Sequence, residues 1–192
     1  MPKLREIRAQ YDDESITVYQ AYNPQIAQAA TAAGKFVAPF SLDRMTWIKP
    51  SFCWMMYRSG WATKLGQERV LAIRISRVGF EWALTHASLS HFENPPYTSY
   101  EQWLEAKSCS PVRIQWDPER DIHLNRLDHR SIQIGLSGDA VGAYVHDWTL
   151  AIDDITHTVH ELADSRDESL LPIGRPYPLS EDLAPRLGAT LN

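Results

Sequence analysis

The segment from Arg44 to Trp61 holds the residue types in this chain that are best suited to binding an anion. Its sequence, RMTWIKPSFCWMMYRSGW, contains three of the seven tryptophans and three cations, Arg44, Lys49 and Arg58. An aromatic ring beside a cation can bind a flat anionic ligand, because the ring stacks while the cation holds the charge. The same composition fits a core helix whose cations reach out to solvent. The sequence leaves both interpretations open.

The charge of this region contrasts with that of the whole chain. The 192 residues carry a formal net charge of −5, yet residues 43–77 contain seven Arg or Lys against two acidic residues. A net acidic chain argues against a general nucleic-acid coat and against a basic membrane anchor. A basic segment in an acidic protein suits a small anion better than a long polyanion. We therefore expect a small anionic nucleotide as the ligand and no membrane partner.

Cysteine and histidine usage constrains the compartment and the cofactors. The two cysteines, Cys53 and Cys109, form no CxxC motif, and no secretory leader is evident, so we expect a cytoplasmic protein. The seven histidines lack a convincing metal-ligand spacing, and we expect no metal. No apolar run approaches the roughly 20 residues that span a bilayer.

Periodicity and turn residues predict the order of the elements. Strands are predicted at Ser15–Tyr22, Phe36–Leu42, Glu68–Ser76, Pro111–Trp116, Arg130–Leu136 and Thr149–Ile155. Helices are predicted at Pro24–Ala33, from Pro50 to a stop at Gly60, at Val78–Leu89, from a Ser99 cap to Lys107, at Ala140–Trp148 and at Thr156–Asp164. No glycine-rich phosphate loop follows the first strand, which argues against a doubly wound nucleotide fold. We expect an α+β fold in which helices flank a mixed, split or strongly bent sheet.

The domain organisation follows from the distribution of proline. We expect residues 1–164 to form a single α+β domain and the proline-rich residues 165–192 to form an extension wrapped on its surface. Asp117-Pro118 is expected to end its strand, since proline cannot donate to a central ladder.

Side-chain alternation places further candidate residues on the strands. Gln20 continues a line of core residues near the end of the first strand, and Gln133 lies opposite the core face of its strand. Gly135 shares the face of Gln133 and indicates a close approach by a ligand or another backbone. Arg74 lies on a strand expected to be largely buried, so it is expected to have a partner or to bind an anion.

Residues 18–155 resemble an uncharacterised domain family of bacteria and fungi that is known only as a domain of unknown function. The phrases that carry the resemblance are VYQAY, RMTWIKPSFCWMMYRSGW, QERVLAIRI and RSIQIGL. This resemblance implies family membership but no activity.

The order of the elements is also similar to the ADP-ribosyltransferase fold. In that superfamily the first strand ends in Tyr-His or an Arg-bearing phrase, a second strand carries Ser or Thr, and a later strand carries a catalytic Glu. The corresponding positions here are Gln20, Phe40-Ser41 and Gln133. The resemblance implies NAD as the cofactor and Gln20 and Gln133 as catalytic residues. Glutamine can hydrogen-bond to a hydroxyl but supplies no negative charge to stabilise a cationic transition state. The resemblance therefore implies a divergent catalytic site.

The RNA 2′-phosphotransferase branch of the same superfamily handles NAD with arginines and histidines and lacks the usual Glu. This comparison adds Arg44 to the catalytic candidates. The candidate cofactor-binding residues are Tyr22, Trp47, Lys49, Arg58, Arg74 and Arg130. The structural alternatives are ordinary strand residues for the two glutamines, a surface loop for Arg44 and Lys49, and an ion pair for Arg58.

Three classes of function are therefore compatible with the sequence. The first is an NAD-binding enzyme of ADP-ribosyltransferase type with a divergent site, which acts on a nucleic acid, a nucleotide or a protein. The second is a non-catalytic module that binds a nucleotide or an RNA end. The third is a structural or partner-binding protein whose tryptophans all belong to the core. NAD binding separates the third class from the other two, and release of nicotinamide separates the first from the second.

Overall fold

The computed structural model describes residues 4–190 as a series of short strands and helices. The first three residues of the predicted domain and the last two of the predicted extension lie outside the described residues. The strands are β1 (Arg8–Ala9), β2 (Ser15–Tyr22), β3 (Thr46–Ile48), β4 (Arg69–Ser76), β5 (Ala87–Leu89), β6 (Val112–Arg120), β7 (Arg126–Leu136), β8 (Thr149–Asp154) and β9 (Arg175–Pro176). The helices are α1 (Pro24–Ala33), α2 (Phe52–Ser59), α3 (Arg77–Thr85), α4 (Tyr100–Cys109), α5 (Asp139–Ala143), α6 (Thr156–Ser165) and α7 (Leu183–Arg186). A π-helical turn, Tyr144–Trp148, follows α5.

The strands form two main sheets, and the predicted α+β class is confirmed. Sheet I is antiparallel and has the strand order β2-β4-β8. Sheet II is mixed and has the order β3-β7-β6-β5, with β5 parallel to β6 and the other pairs antiparallel. The short strands β1 and β9 pair with each other.

The two sheets meet where β3 ends. Lys49, the residue after β3, forms a bridge with Tyr19 of β2, and the Tyr19 amide donates to the Lys49 carbonyl at 2.8 Å. β3 itself pairs with β7 of sheet II. β3 therefore lies between the strand that carries Gln20 and the strand that carries Gln133.

Sheet I has a hydrophobic cluster on each face. Ile16 and Val18 of β2 and Ile73 of β4 are fully buried in the larger cluster, as their alternation predicts. On the other face, Tyr19 and Val70 pack in a second cluster with the apolar side chains of α2 and α6, which include Met55, Met56, Val159 and Leu162. Because both faces of β2 are covered, the end of this strand is a rigid support for side chains beyond it.

The helices next to this support begin and end at local signals. Asn23 caps α1 by accepting from the Ile26 amide at 2.9 Å, and Gly34 ends it with φ of 67°. Gly60 ends α2 with φ of 60°, as predicted. The predicted start of α2 at Pro50 is wrong, because the Ser51 side chain accepts from the Trp54 amide at 3.1 Å and acts as the N-cap.

The predicted strand at Phe36–Leu42 is wrong. These residues form turns, in which the Phe40 amide donates to the Val37 carbonyl at 2.9 Å. The Phe36 and Phe40 rings stack with centroids 4.5 Å apart. Packing of these rings and Pro39, which has no N–H, favour a turn over a strand ladder here. The strand that enters the sheet is β3, which begins at Thr46, four residues after Leu42.

Two other element boundaries differ from the prediction. The helix predicted over Val78–Leu89 ends at Thr85, and Ala87–Leu89 forms β5 because it finds a parallel partner in β6. Asp117-Pro118 does not end its strand. β6 continues to Arg120 across an irregularity between Pro118 and Arg120, which is a position that tolerates proline.

The chain after Ser165 runs back over the core. Leu187 is 1% exposed, and its carbonyl accepts a hydrogen bond from the indole of Trp116 at 2.7 Å. Tyr177 is also buried and packs against Phe80. Within residues 4–190, none of the helices combines the length and the apolar character that a membrane span requires.

Candidate functional site

A cleft of about 420 Å³ opens at the junction of the two sheets. Its walls come from the end of β2, the start of α1, residues 39–45, β3, α2 and the turn at Gly66-Gln67. Six of the nine predicted site residues line it, namely Gln20, Tyr22, Arg44, Trp47, Lys49 and Arg58. The volume lies within the range of small-ligand sites.

Gln20 braces the floor of the cleft. Its side-chain amide donates to the Thr46 hydroxyl at 2.8 Å and to the Trp47 carbonyl at 3.1 Å, and its Oε1 accepts from the Tyr144 hydroxyl at 2.7 Å. The residue is 3% exposed. These protein partners occupy the amide, so the role that Gln20 plays in this structure is to hold β3 against β2.

Tyr22 belongs to the same network. Its hydroxyl lies 3.2 Å from the Thr46 hydroxyl, and its ring packs edge-on against Phe36 and Phe40. Burial raises the pKa of Tyr22 to about 12, so the phenol stays protonated at neutral pH. Tyr22 is therefore a neutral hydrogen-bonding group in a largely aromatic wall.

The Trp47 ring packs closely against Gly135 of β7 because Gly135 has no side chain. A Cβ at Gly135 would lie 2.9 Å from the Trp47 ring and 3.0 Å from the sulfur of Met45. The close approach that Gly135 predicts is thus made by an indole of the same chain. The absence of a side chain at this position therefore sets where the indole of this cleft residue packs.

Arg44 and Arg58 provide the positive charge of the cleft. Both side chains are exposed at its rim. In the described part of the chain, neither guanidinium has a carboxylate within 4 Å, so the ion pair considered for Arg58 does not form there. Guanidinium groups without an acidic partner can bind phosphate or carboxylate oxygens in a bidentate manner.

Lys49 lies deeper and is only 7% exposed. Its Nζ donates to the Trp47 carbonyl at 3.1 Å and lies 5.4 Å from the centroid of the Trp54 ring. Burial, together with the charge of Arg58, lowers the pKa of Lys49 to about 7, although Asp117 partly opposes the shift. A substantial fraction of this amine is therefore neutral at neutral pH.

Replacing Lys49 by methionine is expected to raise the free energy of unfolding. The increase should be larger at pH 6 than at pH 9, and the difference between the two increases should be about 2–3 kcal/mol. The unfolded lysine has a pKa of about 10.4, above the folded value, so wild type gains stability as pH rises from about 7 to 10. The Lys49→Met variant lacks this titration. Urea unfolding at both pH values measures the difference, with Lys64→Met as the control for an exposed lysine. A pH-independent effect of Lys49→Met would contradict the burial of a titrating amine.

Three predicted site residues do not line the cleft. Arg74 is exposed on β4, so the expectation that it is buried is wrong. On its face of the strand Val70 is buried, Ala72 is half-buried and Arg74 is exposed. Arg130 instead donates to the Trp116 carbonyl at 3.0 Å. Gln133 lies on sheet II, where its amide donates to a carboxylate oxygen of Asp117.

Asp117, which the sequence did not single out as a site residue, is a carboxylate whose charge acts on Lys49 of the cleft. Its second oxygen accepts from the Gln115 amide at 2.9 Å, so two glutamines on neighbouring strands orient one carboxylate. Gln115 of β6 pairs with Gln133 of β7. Gly135, which pairs with Trp47, is two residues from Gln133 on β7, so Gln133 and Gly135 share one face of the sheet. Alternation along β6 places Gln115 and Asp117 on one face and could have identified this pair of residues. Only the register shows that Gln133 joins them.

Among residues 4–190, no group of three or more His, Cys, Asp or Glu side chains is arranged to hold a metal ion.

Comparison with known families matches one family over most of the chain. The family described as "Domain of unknown function (DUF4291)" matches residues 6–176. The match includes both sheets and every residue of the cleft named above. No curated protein matches the chain. The chain therefore belongs to this family.

Proposed function

We propose that this family member binds a nucleotide in the cleft, with NAD as the ligand. The observation that carries the proposal is the pair of guanidiniums, Arg44 and Arg58, at the rim of a cleft that Trp47 also lines. In this proposal the two arginines hold the diphosphate and the indole stacks with a base. Tyr22 offers a hydroxyl at the same wall. The buried hydrogen bonds of Gln20 support the proposal because they hold β3 in place when no ligand is bound.

A second candidate function is a transferase of ADP-ribosyl type that acts on a nucleic acid or a protein. Asp117 favours it, because its carboxylate is held by the residue at the position expected for the superfamily's Glu. A carboxylate there would stabilise positive charge that develops on a ribose, which Gln133 alone does not. We rank binding ahead of transfer, since the amides of Gln20 and Gln133 are both engaged with protein groups.

Calorimetric titration with NAD, ADP-ribose, AMP and adenosine tests the proposed binding. ADP-ribose and NAD are expected to bind most tightly and adenosine most weakly, because adenosine lacks the phosphates that Arg44 and Arg58 would hold. Equal affinities for adenosine and ADP-ribose, or no heat with any of the four, would rule the proposal out. Release of nicotinamide from NAD, lost in an Asp117→Asn variant that still binds NAD, would support the transferase.

A further inference from the structure

We propose that Lys49 is a nucleophile that forms an imine with a small aldehyde or ketone carrying an anionic group. The inference rests on the proposed anion-binding cleft and names a class of substrate for it. It starts from Lys49, which lines the cleft and whose Nζ donates to the Trp47 carbonyl and lies 5.4 Å from the centroid of the Trp54 ring.

The surroundings of Lys49 are unusual for a buried lysine. A buried ammonium group is normally compensated by a carboxylate, because an unpaired charge is costly to desolvate. In the described residues, no carboxylate lies within 4 Å of Nζ, and one carbonyl oxygen accepts from it. The amine of this cleft residue thus retains further hydrogen-bonding and nucleophilic capacity.

The neighbouring charges favour the neutral amine that such chemistry needs. Burial lowers the pKa of Lys49 and thus favours the neutral amine, the positive charge of Arg58 on α2 acts in the same direction, and the carboxylate of Asp117 opposes them. Desolvation and an adjacent cation are the two general means by which proteins activate a lysine as a nucleophile. The other lysines of residues 4–190 differ, since Lys35 and Lys64 are exposed and Lys107 is half-buried.

The chemical step requires no redox partner. The neutral Nζ adds to the carbonyl carbon, and one of its protons moves to the former carbonyl oxygen to give a carbinolamine. The hydroxyl then leaves with the second N–H proton as water while the C=N bond forms. Arg44 and Arg58 would hold a phosphate or carboxylate of the same molecule, which places its carbonyl group inside the cleft. Substrates are therefore small carbonyl compounds with at least one anionic group.

Pyridoxal 5′-phosphate is a suitable probe, because it combines a flat ring, a phosphate and an aldehyde. The protein is incubated with the probe, the imine is reduced with borohydride, and the modified lysines are mapped by peptide mass spectrometry. Lys49 is expected to be modified at least about tenfold faster than Lys35, Lys64 or Lys107 at pH 7, because burial lowers its pKa to about 7 and leaves much of the amine neutral. Modification in proportion to exposure, or no adduct at Lys49, would overturn the proposal.

Variants separate the nucleophile from the anion-binding groups. Lys49→Arg keeps a cation but should lose the cleft adduct, whereas Lys64→Arg should leave the modification of Lys49 unchanged. Arg44→Ala should slow modification by pyridoxal 5′-phosphate but not by pyridoxal, which lacks the phosphate, because Arg44 lines the cleft and is not one of the charges that shift the pKa of Lys49. Equal slowing for both probes would contradict the role of the arginine in holding the anion.

NAD titration of the same samples distinguishes this inference from the proposed function. A protein that binds NAD but forms no Lys49 adduct disproves the imine alone. A selective Lys49 adduct in a protein that does not bind NAD supports the imine chemistry and disproves the proposed nucleotide binding.

Discussion

Replacing Arg44 and Arg58 together by alanine is expected to weaken NAD binding by about 3–6 kcal/mol, since each charged hydrogen bond contributes about 1.5–3 kcal/mol. Both arginines line the cleft, and neither has an acidic partner within 4 Å in the described residues. The substitutions therefore remove contacts with NAD without breaking an ion pair of the protein. The free energy of unfolding without ligand should change little, because both side chains are exposed. Calorimetry measures the affinity and urea unfolding measures the stability.

The matched control removes two arginines outside the cleft. Arg74 and Arg126 are exposed on β4 and β7, and neither lines the cleft. The Arg74→Ala/Arg126→Ala variant has the same net charge as the cleft variant, so a general electrostatic effect on NAD would appear in both. Similar dissociation constants for the two double variants would refute a specific phosphate site at Arg44 and Arg58.

The second large effect is expected from Gln20→Leu, which should lower the free energy of unfolding by about 3–4 kcal/mol. The substitution removes three hydrogen bonds and leaves the buried Tyr144 hydroxyl and the Trp47 carbonyl without their Gln20 partner. For a chain of this size the melting temperature should fall by about 2–4 °C per kcal/mol. Thermal and urea unfolding measure the loss.

Gln28→Leu is the control for this substitution, because Gln28 is exposed on α1. It should change the free energy of unfolding by no more than about 0.5 kcal/mol. If Gln20 acted only in catalysis, Gln20→Leu would instead leave stability unchanged and reduce nicotinamide release. Unchanged stability of Gln20→Leu would therefore show that the network at the floor of the cleft contributes little.

The cleft could be predicted in part because its residues are close in sequence. Arg44, Trp47, Lys49 and Arg58 lie in one short segment, so any fold that orders this segment keeps them near one another. Gln20 and Tyr22 share a face of β2 by alternation, and α1 begins directly after that strand. The assignment of these residues to NAD binding stays a prediction, as does the similarity to ADP-ribosyltransferases.

The residues that the sequence misplaced depend on contacts between distant segments. Arg74 was expected to be buried, but how far a neighbouring helix covers a strand cannot be read from the strand itself. Gln133 was expected to face the cleft, yet its partner is Asp117, sixteen residues earlier on β6. Alternation gives the face of a residue, whereas the register between two strands decides which side chains meet.

Local chemistry alone determined the elements whose signals lie within a few residues of one another. Asn23, Pro24 and Gly34 define α1, and Gly60 ends α2, because caps and left-handed stops act over single turns. Only the tertiary structure decided that β3 and β5 are strands, since each has three residues and exists through its partner, β7 or β6. Long-range pairing also bridges Lys49 to Tyr19 of β2, next to Gln20. The pairing of β6 with β7 brings together the two glutamines that orient Asp117. A three-residue strand has too few side chains to show a period, so its place in the sheet depends on hydrogen bonds to residues far away in the chain.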